Sequence, residues 1–304
     1  VLWALYSKLS DHQNLRAFGE FVQTLDLFNL FWVMTLVIVL MLINWGIEVI
    51  KWQIVCKPFH QWAWKDAFSS VFCGLSWAVF TPNRLGEYGG RVFFLPPRKR
   101  LLGVVAMGFG AFAQLAITQC TGALALAWFL DTYFSLPPSV ENALWVLACL
   151  YGLFFLFVFA KLSSAYHWLP EWKRLKRLKR YLRILRRFKR KTVGATMTWS
   201  MIRFLIFTSQ YLLLFMVFLP EISWATTYGL VVLLLFVQTV LPSLDLFDFG
   251  VRSLTGGYIF SFVTDQEMLV MAIVSCIWFI NLIVPAIIGA PLVFKIKFFG
   301  NSDH

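Results

Sequence analysis

The sequence predicts an all-α polytopic membrane protein, built as an inverted repeat with two opposed re-entrant helical hairpins. Three observations lead there. Hydrophobic residues fill 60% of the 304 positions and charged ones only 14%, with a mean hydropathy of +0.72, where a soluble domain carries about 25% charge. Uncharged runs close to the ~20 residues needed to cross hydrocarbon recur along the chain. Two short proline-containing motifs share one residue pattern and sit an odd number of crossings apart.

The composition excludes several classes. No water-soluble fold of this size hides 32 Phe and 14 Trp together with so many aliphatic side chains. A secreted disulfide scaffold, a disordered tail and a soluble nucleic-acid binder are ruled out on that ground. The net charge of +12 is not spread over a surface: thirteen of the 27 Lys and Arg lie between Lys161 and Lys191, beside one acid, Glu171. Such a block reads as a topology signal and a contact for anionic lipid, not as a nucleic-acid interface.

Taken in order, the opening Val1–Leu9 is too short to span. It reads as the end of a helix beginning upstream, with a removed signal peptide as the competing reading. Leu27–Ile47 is the first span. Leu101–Leu130, Asn142–Ala160, Phe204–Pro220 (continuing back past Arg203 to Thr192) and Met268–Phe294 are the others. Ala67–Asn83 and Ile222–Leu244 differ, since each runs into a proline and then into charge. That is the pattern of a segment that enters the bilayer and stops partway.

Positive charge sets the orientation: Arg98-Lys99-Arg100, the block Lys161–Lys191 and the tail with Lys295 and Lys297 belong on the cytoplasmic side. The connection Asp131–Glu141, with two acids and no Lys or Arg, belongs outside. Residues 1–160 then form a first membrane repeat with a re-entrant hairpin at about 67–95. Residues 161–191 form a basic cytoplasmic linker, and residues 192–304 a second repeat with a hairpin at about 222–263. Within the linker, Leu175, Leu178, Leu182 and Leu185, flanked by Tyr181 and Phe188, make one helical stripe opposite a Lys/Arg face. The expectation is a helix lying flat on anionic inner-leaflet lipid over 173–191.

The paired motifs are Glu87-Tyr88-Gly89-Gly90-Arg91 after Pro82, and Asp248-Phe249-Gly250-Val251-Arg252 after Pro242. Three crossings separate them, so they face each other from opposite sides. Broken helices meeting near the midplane around a polar site are how inverted-repeat transporters are built. Proline cannot continue a helix, and freed backbone survives in a bilayer only when buried in protein or lining a wet cavity. Pro82, Gly86, Gly89, Pro242 and Gly250 are therefore expected to break or hinge the helices. Arg84, Glu87, Arg91, Asp245, Asp248 and Arg252 are the expected substrate-facing residues, because an intramembrane charge costs roughly 2.5–3.5 kcal/mol even on lenient scales. The alternative is that Glu87–Arg91 and Asp248–Arg252, each four apart, neutralise themselves as fold-stabilising pairs. Arg84 and Asp245 have no partner in that scheme.

Other polar residues carry less. Asn44 and Glu48 share a helix face, with Lys51 a turn beyond as an ion-pair partner at the inner rim. Gln114, Thr118 and Gln119 lie mid-span and suit interhelical hydrogen bonds more than a cavity lining. Arg203 is explained by snorkelling to the interface, with an anionic headgroup as the alternative use for it. Cys56, Cys73, Cys120, Cys149 and Cys276 are scattered, as are His12, His60, His167 and His304, so neither a disulfide framework nor a metal site is expected, and no cofactor.

The span ending in Asn44, Glu48 and Lys51-Trp52, followed by the run into Thr81-Pro82-Asn83-Arg84-Leu85-Gly86-Glu87, resembles the flippase-like transmembrane domain of lysylphosphatidylglycerol synthases. The likeness covers Val1 to about Lys297, and its most specific element is the proline followed by Gly-Glu. It implies a flippase in the cytoplasmic membrane of a prokaryote, moving a lipid with an anionic or aminoacylated headgroup. Pro82, Gly86 and Glu87 are the matching positions, with Arg84 and Arg91 alongside. The synthases' aminoacyl-transferase domain has no counterpart, so synthase chemistry is not expected. Membrane lipids are the expected partners, and a homo-oligomer is compatible. The rivals are a membrane-embedded enzyme using Glu87 or Asp245 as general base, and a lipid-binding scaffold that transports nothing.

Overall fold

A computed structural model describes residues 27–81, 84–162, 183–240 and 245–293, and among these every regular element is helical. In chain order the helices are α1 (Leu27–Cys56), α2 (Trp64–Ala78), α3 (Leu85–Val92), α4 (Arg100–Tyr133), α5 (Pro138–Leu162), α6 (Arg190–Phe218), α7 (Trp224–Val240), α8 (Asp245–Phe260), α9 (Glu267–Trp278) and α10 (Val284–Val293). Five continuous stretches are long and apolar enough to cross a membrane: Phe28–Cys56, Pro97–Tyr133, Pro138–Leu162, Arg190–Phe218 and Glu267–Val293. This is a membrane-embedded, multi-pass, all-α protein. Phe31, Trp32, Leu36 and Leu42 of α1, and Val146, Leu153 and Phe157 of α5, are exposed. They form the apolar surface that lipid covers.

α1 runs nine residues past the expected Ile47 and ends at Cys56, because Pro58 supplies no N–H for another turn. The extension carries Glu48 and Lys51 inside the bundle. α2 and α3 pack against each other as a tight helical pair. A Cβ on Gly90 would meet the Cα of Gly74 at 2.6 Å, and one on Gly74 would meet the carbonyl of Glu87 at 2.8 Å. The two backbones touch, and Ser70 Oγ donates across them to the Arg91 carbonyl at 2.9 Å. α7 is only 17 residues long, ~26 Å at about 1.5 Å per residue. It falls short of a ~30 Å hydrocarbon core.

Small residues set the close approaches elsewhere. Gly122 of α4 abuts Phe236 of α7, and Gly289 of α10 abuts the Phe72 carbonyl of α2. The extensive helix contacts are α1 with α6, α2 with α10, α4 with α5 and α7, and α8 with α9. Smaller ones join α1 to α2 and α4, and α6 to α7 and α9. Intrahelical hydroxyl bonds quiet many polar side chains: Thr196, Thr208 and Thr255 each donate to the carbonyl four residues back.

The last span is not one regular helix. Phe279–Ile283 forms a π turn between α9 and α10. Pro285 follows it and deprives the Asn281 carbonyl of its usual donor. Trp45 Nε1 of α1 donates to that carbonyl at 3.2 Å instead.

Part of the linker departs from expectation. Arg183–Arg187 is a short 3-10 segment, and Ile184, Leu185 and Phe188 are buried. The Phe188 ring lies tilted against Phe109 of α4 with centroids 4.6 Å apart, and Phe109 in turn meets Phe159 of α5. The apolar stripe at this end therefore faces protein, where periodicity pointed to lipid; residues 163–182, which hold the rest of the expected in-plane helix, lie outside the described residues. Arg187 Nη1 donates to the Pro58 carbonyl at 3.5 Å. His60 lies in the same loop, where partial burial and then the Lys99 ammonium hold its pKa below the ordinary value. Lys99, His60 and Arg187 thus gather at one end of the bundle.

Candidate functional site

The site begins with a turn. Pro82 and Asn83 lie outside the described residues, but both sides of the break are visible. Thr81 Oγ1 donates back to the Trp77 carbonyl at 3.1 Å and accepts the Gly86 N–H at 2.6 Å, capping the start of α3. Arg84 has φ 56°, the one non-glycine left-handed residue among those described. A side chain there costs roughly 1–2 kcal/mol. Gly86 and Gly89 lie inside α3, not in the turn. Gly86 is needed because a Cβ would collide with the Trp77 carbonyl, whereas Gly89 has ordinary space and Gly90 takes the tight contact.

α3 turns its charges toward α1. Arg91, 1% exposed, donates Nη1 to Glu48 Oε1 at 2.8 Å and Nη2 to Glu87 Oε1. Arg84 Nη2 lies 3.1 Å from the other oxygen of Glu87. Glu48 Oε2 also accepts from Arg203 Nη1 of α6 at 2.6 Å and lies 3.2 Å from Lys51 Nζ. Asn44 Oδ1 accepts from Arg203 Nε at 3.1 Å, and the guanidinium lies over the Trp45 ring at 4.7 Å. Among the described residues two carboxylates thus serve four cations.

Beside this network is a cavity of about 350 Å³. Gln114 and Thr118, halfway along α4, mark its depth. Arg84, Arg203 and Arg252 line it, and among the described residues no carboxylate does. The α7 end contributes Gln238 and Thr239, and the π turn contributes Asn281. Arg252 Nη1 donates to Gln238 Oε1 at 2.7 Å. Asn281 Nδ2 donates to Gln210 Oε1 at 2.6 Å and to the Ile277 carbonyl at 3.0 Å. Five cavity-lining residues each keep a buried polar atom without a hydrogen-bond partner among the described residues: Arg84 Nε, Gln114 Oε1, Gln238 Nε2, Trp278 Nε1 and Asn281 Oδ1. Buried polar atoms are rarely left so, and a cluster of them around one space marks a place for polar matter.

The expected site residues therefore separate. Arg84 and Arg252 come together at the cavity, although their motifs are distant in sequence. Glu87 and Arg91 do not line it, and Arg91 is held between two carboxylates. Asp245 and Asp248 start α8, but their side chains lie outside the described residues, as does Pro242; Gly250 lies within α8.

Two residues carry more than the sequence suggested. Arg203 turns inward to Asn44 and Glu48 instead of snorkelling, because a carboxylate and an indole face await it there. Glu48 pairs with Lys51 as expected, and it also ties α1 to α3 and α6. Gln119 follows expectation, donating Nε2 to Thr239 Oγ1 at 2.7 Å and accepting from Tyr151 O–H at 2.7 Å. No signal in the uncharged run pointed to Asn281 and Trp278. Compared with family models, with curated proteins and with solved structures, the chain gives no match to any of the three.

Proposed function

We propose that this protein moves a lipid with an anionic headgroup between the leaflets of the membrane it spans. The observation carrying the reading is the mid-span cavity, lined by three arginines, by amide and indole atoms without a hydrogen-bond partner among the described residues, and by no described carboxylate. A phosphate crossing bare hydrocarbon loses its hydration with nothing in exchange. Guanidinium groups replace it with charge-assisted, often bidentate, hydrogen bonds. Of an anionic and an aminoacylated headgroup, the four cations that meet two carboxylates among the described residues favour the anionic one.

The contact pattern supports an inverted repeat behind this site. Exchange α1 with α6, α2 with α7, α3 with α8, and α4 with the α9–α10 span. The contact α2–α10 then becomes α7–α4, α1–α4 becomes α6–α9, α3–α4 becomes α8–α9, and α1–α6 maps onto itself. The close approach of Gly289 to α2 likewise has its counterpart in Gly122 against α7. α2–α3 and α7–α8 are read as re-entrant hairpins from opposite faces, both reaching the cavity. The likeness of Thr81-Pro82-Asn83-Arg84-Leu85-Gly86-Glu87 to the lysylphosphatidylglycerol flippase domain agrees with this, and the cytoplasmic membrane is the setting which that likeness implies.

The test is reconstitution into vesicles holding fluorescent phosphatidylglycerol, with a membrane-impermeant quencher reading leaflet exchange. Wild type is expected to speed exchange over protein-free vesicles, and Arg84→Ala to abolish the gain. Equal rates in both would remove the reading, and a chemically altered lipid would replace it with an enzymatic one.

A further inference from the structure

A second space adjoins the polar cavity. It is an apolar groove of about 560 Å³ between α4, α5 and α7, lined by residues such as Ala123, Ala127, Leu147, Tyr151, Phe154 and Phe236. It lies toward the ends of α4 and α5 away from the Phe109–Phe159–Phe188 contact, and so away from the basic segment. α7 divides it from the polar cavity: Phe236 faces the groove, while Leu235, Gln238 and Thr239 face the cavity. One hydrogen-bonded chain crosses the division. Tyr151, whose ring lines the groove, donates its O–H to Gln119 Oε1, and Gln119 Nε2 donates to Thr239 Oγ1 on the cavity wall, each at 2.7 Å.

The geometry points to the groove as the seat of an acyl chain of the same lipid whose headgroup occupies the arginine cavity. An amphiphile has one polar and one apolar end in covalent register, and here a polar and an apolar space meet across one helix. The walls match the two ends in chemistry: guanidinium and amide on one side, alanine, leucine and aromatic rings on the other. Tyr151–Gln119–Thr239 is then the bar between them, which must part for a headgroup to pass from the bilayer into the cavity. Gln119 is suited to that role, because its two bonds are to side chains of other helices and not to its own backbone. The substrate class is thereby narrowed to a two-part amphiphile that enters sideways from the bilayer, excluding a soluble phosphate ester. This inference rests on the transport reading above.

The experiment uses the full chain in phosphatidylcholine nanodiscs doped with phosphatidylglycerol bearing a diazirine at the end of one acyl chain. After irradiation, labelled peptides are mapped by mass spectrometry. Labelling on 123–130 and 144–154 is expected to exceed that on the exposed Leu36, Ile38, Val39, Leu42 and Ile43 of α1 several-fold. Arg84→Ala is expected to bring it down to the α1 level, because the headgroup no longer anchors the chain. A separate thermal-shift measurement with sn-glycerol 1-phosphate reads the polar cavity alone, in wild type and in Arg84→Ala. Labelling equal on both surfaces, or undiminished by Arg84→Ala, overturns the groove inference. If glycerol phosphate still stabilises wild type and not Arg84→Ala in that case, the headgroup site survives without the groove. If it stabilises neither, both readings fall.

Discussion

Glu48 of α1 and Arg203 of α6 meet at 2.6 Å across 155 positions of sequence, and the same carboxylate holds Arg91 of α3 at 2.8 Å. One side chain therefore ties three helices together in a region where isolated charge is costly. Removing one partner from a buried pair costs about 3–5 kcal/mol, because the remaining charge is stranded. Glu48→Gln takes the carboxylate from Lys51 and Arg203 and leaves Arg91 with Glu87 alone, so it should lower the unfolding temperature in detergent more than any other single change in the network. Glu87→Gln should cost less, since Arg91 keeps Glu48 and Arg84 reaches solvent, with 38% of its side chain exposed. Equal melting temperatures for the two variants would contradict this ordering.

Arg84 separates stability from transport. Its left-handed backbone is strained, and glycine adopts that conformation freely. Arg84→Gly should therefore be at least as stable as Arg84→Ala, by about 1 kcal/mol of relieved strain. Both should lose lipid exchange equally. Exchange retained by either variant would show that the guanidinium is not part of the route.

The α2–α3 contact makes a sharp prediction about adjacent glycines. At Gly90 an added methyl group meets backbone at 2.6 Å, while at Gly89 its nearest neighbour is 3.7 Å away. Overpacking a fixed backbone contact costs about 1–3 kcal/mol, so Gly90→Ala should destabilise clearly. Gly89→Ala should be neutral or stabilising, by roughly 0.5–1 kcal/mol from helix propensity. Thermal unfolding of the two variants side by side reads the difference.

Much of this architecture is legible in the chain because hydropathy and proline act locally. The long spans and the short helices α2 and α7 follow from runs of uncharged residues that end at Pro82 and Pro242. The Glu87–Arg91 contact follows from one helical turn. What escapes is what depends on distant pairing. Glu48 and Arg203 each looked explicable alone, one by Lys51 and one by snorkelling, yet they answer each other. Leu185 and Phe188 look lipid-facing because a helical stripe records only that some apolar surface is opposite, and here that surface is Phe109 and its neighbours. Pro285 and the π turn lie inside an uncharged run, where only their distant pairing shows that the Asn281 carbonyl is freed for Trp45.

The proposed opposed hairpins imply a topology that labelling can read. The loop holding Lys57 precedes α2, and the loop holding Ser223 precedes α7; the α4, α5 and α6 spans lie between them. In the proposed topology three crossings separate those loops, which puts them on opposite faces, and the positive-inside rule assigns the first to the inside. In a background with Cys149 replaced, Lys57→Cys should react with an impermeant maleimide only after the cells are opened. Ser223→Cys should react in intact cells. Thr81→Cys, at the hairpin tip, should react with small cationic or neutral reagents and resist bulky ones, as expected for a wet but enclosed position. Reaction of Lys57→Cys and Ser223→Cys from the same side would place the two hairpins in parallel. The exchange symmetry of the contacts would then have no membrane two-fold behind it, and the cavity would be reached from one leaflet alone.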